Sequence, residues 1–230
     1  MNEQSTDQMD QMDQVDLIEH LGAEPAPEVV LDEETVDFAQ SIADSVASFL
    51  LVLRELARAG DPAPAISLLL LEISQISLAG ARLGAQQDFE TAGPYQPDVG
   101  EEADLEGLRL RLATMLGDVD TYSFVFDPYE PEIVEGQLSD DLTSIASDLE
   151  NGLRHHRNGD LAEALWWWQY SYVSSWGNLA GAALNALLAI VAHDRLDVEH
   201  VGEEEQIEAA EAVLEDGLAE GGQLPRGSTD

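Results

Sequence analysis

From Ala164 to His193 the chain reads ALWWWQYSYVSSWGNLAGAALNALLAIVAH, thirty residues without a carboxylate, lysine or arginine, and all four tryptophans lie within it. The complete chain of 230 residues carries a formal charge of −38. A run so unlike its surroundings must leave water, either in a bilayer or inside the protein. Wound at about 100° per residue, Leu165, Trp168, Trp176, Ala183 and Leu187 fall within roughly 60° of one direction. Trp166, Tyr170, Val173, Leu184, Leu188 and Val191 form a second flank, and the two together make an apolar arc of about 200°. The remaining side holds Trp167, Ser174, Asn178 and Asn185. Lipid would leave that polar ridge unsatisfied, and the apolar run after Asn178 is short beside the ~20 residues a span needs. The segment therefore reads as the spine of a helical bundle, with no membrane partner expected. Gly177 and Gly181 stand four apart, where a neighbouring helix can approach closely.

Charge says more about partners than about fold. The 47 acidic residues face nine arginines and no lysine. Residues 1–34 hold eleven acids and no arginine, and residues 197–230 hold eleven acids and only Arg226. The stretch between them carries 25 acids and eight arginines, so a less acidic body bears two acidic arms. No cationic stripe is available to replace phosphate counterions, which argues against direct nucleic-acid binding and against an anionic membrane surface. A protein partner fits better, a basic one in particular. The absence of cysteine excludes disulfides, thiolate metal sites and cysteine nucleophiles. MNEQSTDQMDQMDQVD lacks the cationic and apolar parts of a secretory leader, so a cytoplasmic location is expected.

Periodicity divides the chain into an acidic disordered tail over 1–34, one helical bundle domain over 35–196, and an acidic, partly helical tail over 197–230. The fold class expected is all-α, a single bundle of about five main helices. The first starts near Glu33 and stops at Gly60, with Phe38, Ile42, Val46, Phe49, Leu50, Leu53 and Leu56 on one stripe. Asp61 and Pro62 begin the second, whose run Leu68 to Leu71 makes it apolar around most of its circumference and places it inside the bundle. A third helix is expected from about Glu101 to Val119. Tyr122, Phe124 and Phe126 alternate as in a strand, but no second strand signal follows, which predicts an extended aromatic crossover. Ser139 is expected to cap the fourth helix, with Asp140 and Asp141 in its first turn. The short turn RNGD then makes the fifth helix its antiparallel neighbour. In the last arm Ile207, Ala210, Leu214 and Leu218 keep helical spacing.

Few residues suggest chemistry. Asp141, Asp148 and His155 share a ridge of helix four, but steps of seven are about 10 Å apart along the axis, too far to share one metal ion. Neither a Glu-x-x-His pair nor a phosphate-binding glycine loop occurs. His156 continues the inner stripe of Leu142, Ile145, Leu149 and Leu153 as a core histidine. Asp127 before Pro128 reads as a turn starter or, with Tyr129, as part of a binding loop. Three adjacent tryptophans cannot all face one core. Trp167 points outward, either covered by a loop or serving as a partner anchor.

Phe126-Asp127-Pro128, the helix from Leu138 to Leu149 and the tryptophan-rich stretch from Trp166 to Gly177 resemble the family of the domain of unknown function numbered 5063. The resemblance covers about residues 35–196 and is closest to the actinobacterial branch. Ser144 departs from the pattern, standing where other branches carry an acid, which weakens any shared carboxylate site. The resemblance implies an all-α cytoplasmic bacterial protein with no assigned reaction, and, in this branch, genes that can lie beside a recombination-mediator gene, an association and not a mechanism. Taken with the missing catalytic motifs, the acidic arms and Trp167, the expected function is a non-enzymatic protein-interaction module. A second expectation is an acidic mimic of DNA, or an accessory partner, facing a basic repair or recombination protein. A third is an enzyme or ligand-binding protein with a pocket between the Ser139–His156 and Asp160–His193 helices, beside Trp176, using Asp141, Asp148, His156 or Asp127. No cofactor or metal is expected.

Overall fold

Two capped helices open the fold. The computed structural model describes residues 30–91, 99–100 and 105–196. Asp32 accepts the Thr35 N–H at 2.8 Å and begins α1, Glu33–Ala59. Gly60, at φ 67°, closes α1 in a left-handed conformation that a side chain would resist. Asp61 accepts the Ala63 N–H and, with Pro62, starts α2, Pro62–Gly84. α3 is Glu106–Leu116, shorter at its start than expected, and it ends in one 3-10 turn at Gly117–Val119. α4, Leu138–Arg157, turns through Gly159 into α5, Leu161–Leu196. Apart from residues 30–34, the two arms lie outside the described residues.

The core forms where the stripes of these helices meet. Ile42, Val46, Phe49 and Leu53 of α1 join Leu142, Ile145 and Leu149 of α4 and Leu165, Trp168, Trp176 and Leu187 of α5, all essentially inaccessible to water. The indole N–H of Trp168 donates to the Leu149 carbonyl at 2.9 Å. Gly152, one turn along α4, lies under the same indole, and a methyl group there would collide with it. An Arg54–Glu150 ion pair ties α1 to α4, and Arg109–Asp140, at 3.2 Å, ties α3 to α4. The Gln169 side chain donates to the Leu83 carbonyl at 3.0 Å and accepts the Phe89 N–H at 3.0 Å, closing the end of α2 onto α5.

The bundle does not enclose as much as the hydrophobic pattern suggests. α2 is a surface helix with Leu68, Leu71 and Leu78 exposed, and the second flank of α5 leaves Tyr170, Val173 and Leu188 exposed. The five described helices are too few to surround either one. α2 packs against α1 and α5, and α5 against α4, α2 and α1, each on one side only. α1, α2 and α5 are each long and apolar enough to cross a membrane by length and composition, yet each lays one face in the common core. Inside α5, residues Tyr172–Trp176 form a π turn closed by the Gly177 N–H on the Tyr172 carbonyl. That turn sets the Tyr172 and Trp176 rings 4.8 Å apart, and both rings crowd Gly80 of α2. Among the described residues no helix comes to Gly177 and Gly181 as expected: a methyl at Gly177 would meet the Tyr172 carbonyl, and Gly181 faces open space.

The extended crossover is a hairpin. β1, Thr121–Asp127, pairs antiparallel with β2, Glu130–Gln137, and Val125 stands opposite Ile133. The sequence EPEIVEGQ hides β2 because nearly every residue in it is exposed, so no alternation of buried and solvated side chains marks it. Ser139 does not cap α4. The helix starts one residue earlier, and Asp120, from beyond the hairpin, supplies the cap: its carboxylate accepts the Ser139 N–H and the Ser139 hydroxyl, both at 2.8 Å. The Asp120 carbonyl also accepts the Leu138 N–H at 2.8 Å. Both ends of the hairpin are thereby fixed at one buried residue.

Candidate functional site

The hairpin is shaped at its tip by Asp127. Its carboxylate accepts the Tyr129 N–H at 2.8 Å while Pro128 fixes the backbone between them. Tyr122, Phe124 and Phe126 line one face, with ring centroids 5.3 and 6.5 Å apart. Gly136 on β2 leaves room for the first two rings. Toward the tip the burial stops: Tyr129 is 94 % and Ile133 77 % exposed, and Val125, Phe126 and Val134 are exposed as well. Glu130, Glu132 and Glu135 stand among them on β2. Between this hairpin and α5 lies a crevice of about 440 Å³, walled by Phe124, Phe126 and Pro128 and floored by Gly181, Asn178 and Asn185.

Beneath the hairpin, α4 and α5 meet in a polar seam. The Tyr122 hydroxyl donates to Asp141 at 2.6 Å, and the Ser175 hydroxyl donates to Asp148 at 2.8 Å. Burial raises the pKa of both carboxyls above the ordinary aspartate range; their hydroxyl donors partly offset this, while Asp140 and Asp120 add to the rise at Asp141. Burial and the Asp141 carboxylate push the Tyr122 hydroxyl above the usual phenol range. One turn beyond Gly152, His155 is buried against Trp167, centroids 6.2 Å apart. Each carboxylate holds a hydroxyl from a different element, so the seam cross-links α4 to the hairpin and to α5.

The residues singled out in the sequence fall into two groups. Asp127 and Tyr129 share the hairpin tip, and Asp141 and Asp148 share the seam. No three of the described His, Asp and Glu residues are grouped so as to hold a metal ion. His156 does not take the core position read for it: His155 does, because the flank of α4 that meets α5 runs through Gly152, whereas His156 is half-buried beside Trp168. Trp167 does not point free into solvent. It is half-buried between His155 and Trp166, so among the described residues its cover is α4 rather than a loop. Trp176 is fully buried, its indole N–H has no hydrogen-bond partner among the described residues, and it does not line the crevice. Sequence reasoning missed the crevice. Asn178 and Asn185 were visible as a polar ridge of α5, but the strand pair that turns the ridge into a floor was not.

The family of the domain of unknown function DUF5063 matches residues 33–193. Among solved structures, the crystal structure of protein BF1032 from Bacteroides fragilis shares the fold, with a TM-score of 0.53 at 20 % identity, covering 65 % of this chain and 89 % of that one. No curated protein is similar to the chain. The family match takes in the helices of the bundle, the hairpin and the seam alike, and on it the chain belongs to the DUF5063 family.

Proposed function

We propose that the chain is a protein-interaction module whose docking surface is the hairpin together with the crevice behind it. The observation that carries this reading is the exposure of Val125, Phe126, Tyr129, Ile133 and Val134 on a ribbon whose base is locked by Asp120. Among the described residues the sheet has two strands, so each strand keeps an unpaired edge. Such an edge is a template for a further strand. Glu130, Glu132 and Glu135 favour an extended segment that alternates apolar with basic side chains. Asn178 and Asn185 offer amide donors and acceptors for its backbone. A basic DNA repair or recombination protein is one partner of this kind. Its binding weakens steeply with salt, and duplex DNA competes for it.

The test is retention of proteins from cell lysate on the immobilised full chain, against Phe126→Ala and Ile133→Asp. A partner whose retention drops about tenfold or more in both variants supports the surface. Equal retention by the wild type and both variants removes it. Competition by duplex DNA separates the repair-protein partner from other basic partners.

A further inference from the structure

α2 turns toward water a face that is uncharged along its length and charged only at its two ends. Ser67, Leu71, Ser74, Leu78, Ala81 and Ala85 are all exposed and fall within about 40° of one direction, opposite the buried Leu69, Ile73, Ile76 and Leu83. They recur at alternating steps of four and three, the spacing of a seam between two helices. Between Asp61 and Arg82 the one charged residue is Glu72, turned inward and only 9 % exposed. The neighbouring α5 adds no carboxylate or arginine from Ala164 to His193. In a chain of formal charge −38, such a leucine-bearing face lets a second copy come close without setting acid against acid.

The face is complementary to itself when two copies of α2 run antiparallel. Setting Leu71 of one copy against Ser74 of the other places Leu78 against Ser67 by the same two-fold axis, so each large side chain lies over a small one. The Ser74 hydroxyl already donates to the Leu70 carbonyl at 2.7 Å, so covering it leaves no donor without a partner. Charge selects the same orientation. Asp61 stands exposed at the start of α2 and Arg82 exposed near its end. The antiparallel register brings Arg82 of each copy within one turn of Asp61 of the other, whereas a parallel pair sets like charge against like at both ends.

We propose that the chain forms a two-fold dimer through antiparallel packing of α2 on α2, with Leu71 and Leu78 of each copy seated over Ser74 and Ser67 of the other. Sedimentation equilibrium on the full chain, between about 1 and 100 μM, tests this. The wild type reaches the mass of a dimer. The double substitution Leu71→Glu and Leu78→Glu, at two exposed positions, weakens association about a hundredfold or more and leaves the far-ultraviolet circular dichroism unchanged. Leu51→Glu, exposed on α1, and Ile133→Asp, exposed on the hairpin, leave the dimer in place. The chain has no cysteine, so introduced thiols report the orientation. Ser67→Cys and Ala81→Cys chains, mixed, join through a short bis-maleimide, because the two positions are only about 5 Å apart along the paired axes. Ser67→Cys alone does not join, its two copies being about 16 Å apart along the same axes. A monomer across the whole concentration range overturns the proposal. So does a dimer that survives the double substitution or is lost in either control. Joining of Ser67→Cys alone as readily as the mixture overturns it too, since the pairing is then parallel.

Discussion

The α4–α5 seam and the β1–β2 hairpin are made of the same materials, aromatic rings and carboxylates, and use them in opposite ways. In the seam, Trp168 lies flat on Gly152 and its N–H finds a carbonyl, while Asp148 and Asp141 each take a hydroxyl. On the hairpin, Phe126 and Tyr129 reach into water and the glutamates of β2 stay solvated. Glycine placement and backing make the difference. A glycine under an indole lets two helices close on it, whereas the outer half of the ribbon is backed, among the described residues, by an open crevice rather than by packed side chains. The seam therefore contributes stability, and the tip of the hairpin is left available for recognition.

Substitutions in the seam should produce the largest effects. Trp168→Ala removes a fully buried indole and costs about 4 kcal/mol in urea unfolding. Gly152→Ala adds one methyl where none fits and costs about 2 kcal/mol. The same change at Gly181, on α5 but facing open space, stabilises by about 0.5–1 kcal/mol through helix propensity alone. If the two alanines shifted the unfolding midpoint in the same direction, the packing account of the seam would be wrong.

Asp120→Ala comes next. It strips the cap of α4 and leaves the buried Ser139 N–H and hydroxyl without their acceptor, for a loss of about 2 kcal/mol. Because Asp120 also fixes both ends of the hairpin, hydrogen exchange should speed up in β1 and β2 before it does in α1. Uniform loosening across the molecule would mean that the ribbon is held by something else. On the ribbon itself, Ile133→Asp should move stability by no more than about 0.5 kcal/mol. A larger loss would show that the hairpin belongs to the core and is not free to dock.

These contrasts also explain what the sequence could reveal. Asp32, Gly60, Asp61 and Pro62 act locally, so the limits of α1 and the start of α2 follow from a few neighbouring residues. The stripes of α1 and α4, together with Trp168 and Trp176, are equally legible because a helix repeats its own geometry. Four features depend on distant partners and leave no local trace. The Asp120 cap acts across 19 positions. β2 lacks alternation because it is solvated. Leu71 and Leu188 look like core until one knows that no described helix covers them. The exchange of His156 for His155 turns on the side from which α5 approaches. The candidate site was legible residue by residue at Asp127, Tyr129 and Asp141, but the crevice needed the pairing of the strands.

The smallest effect separates the two kinds of carboxylate. Burial raises the Asp148 pKa in the folded chain relative to the unfolded one, so above the ordinary aspartate range the folded state holds the proton longer. Its contribution to stability is then full in acid and is lost as pH rises through the raised value. Asn at this position stays neutral and can still accept the Ser175 hydroxyl. Asp148→Asn is therefore more stable than the wild type at neutral pH, and the gain fades as pH falls toward the ordinary aspartate range. Glu132→Gln, on the exposed hairpin, removes one negative charge without touching a buried group, and it measures what relief of overall repulsion alone contributes. Urea midpoints across pH for the three proteins decide the matter. If Asp148→Asn merely parallels Glu132→Gln, burial in the seam does not govern this carboxyl. If it is less stable than the wild type at neutral pH, the charged hydrogen bond from Ser175 outweighs the cost of burial, and the seam holds its acids for their charge.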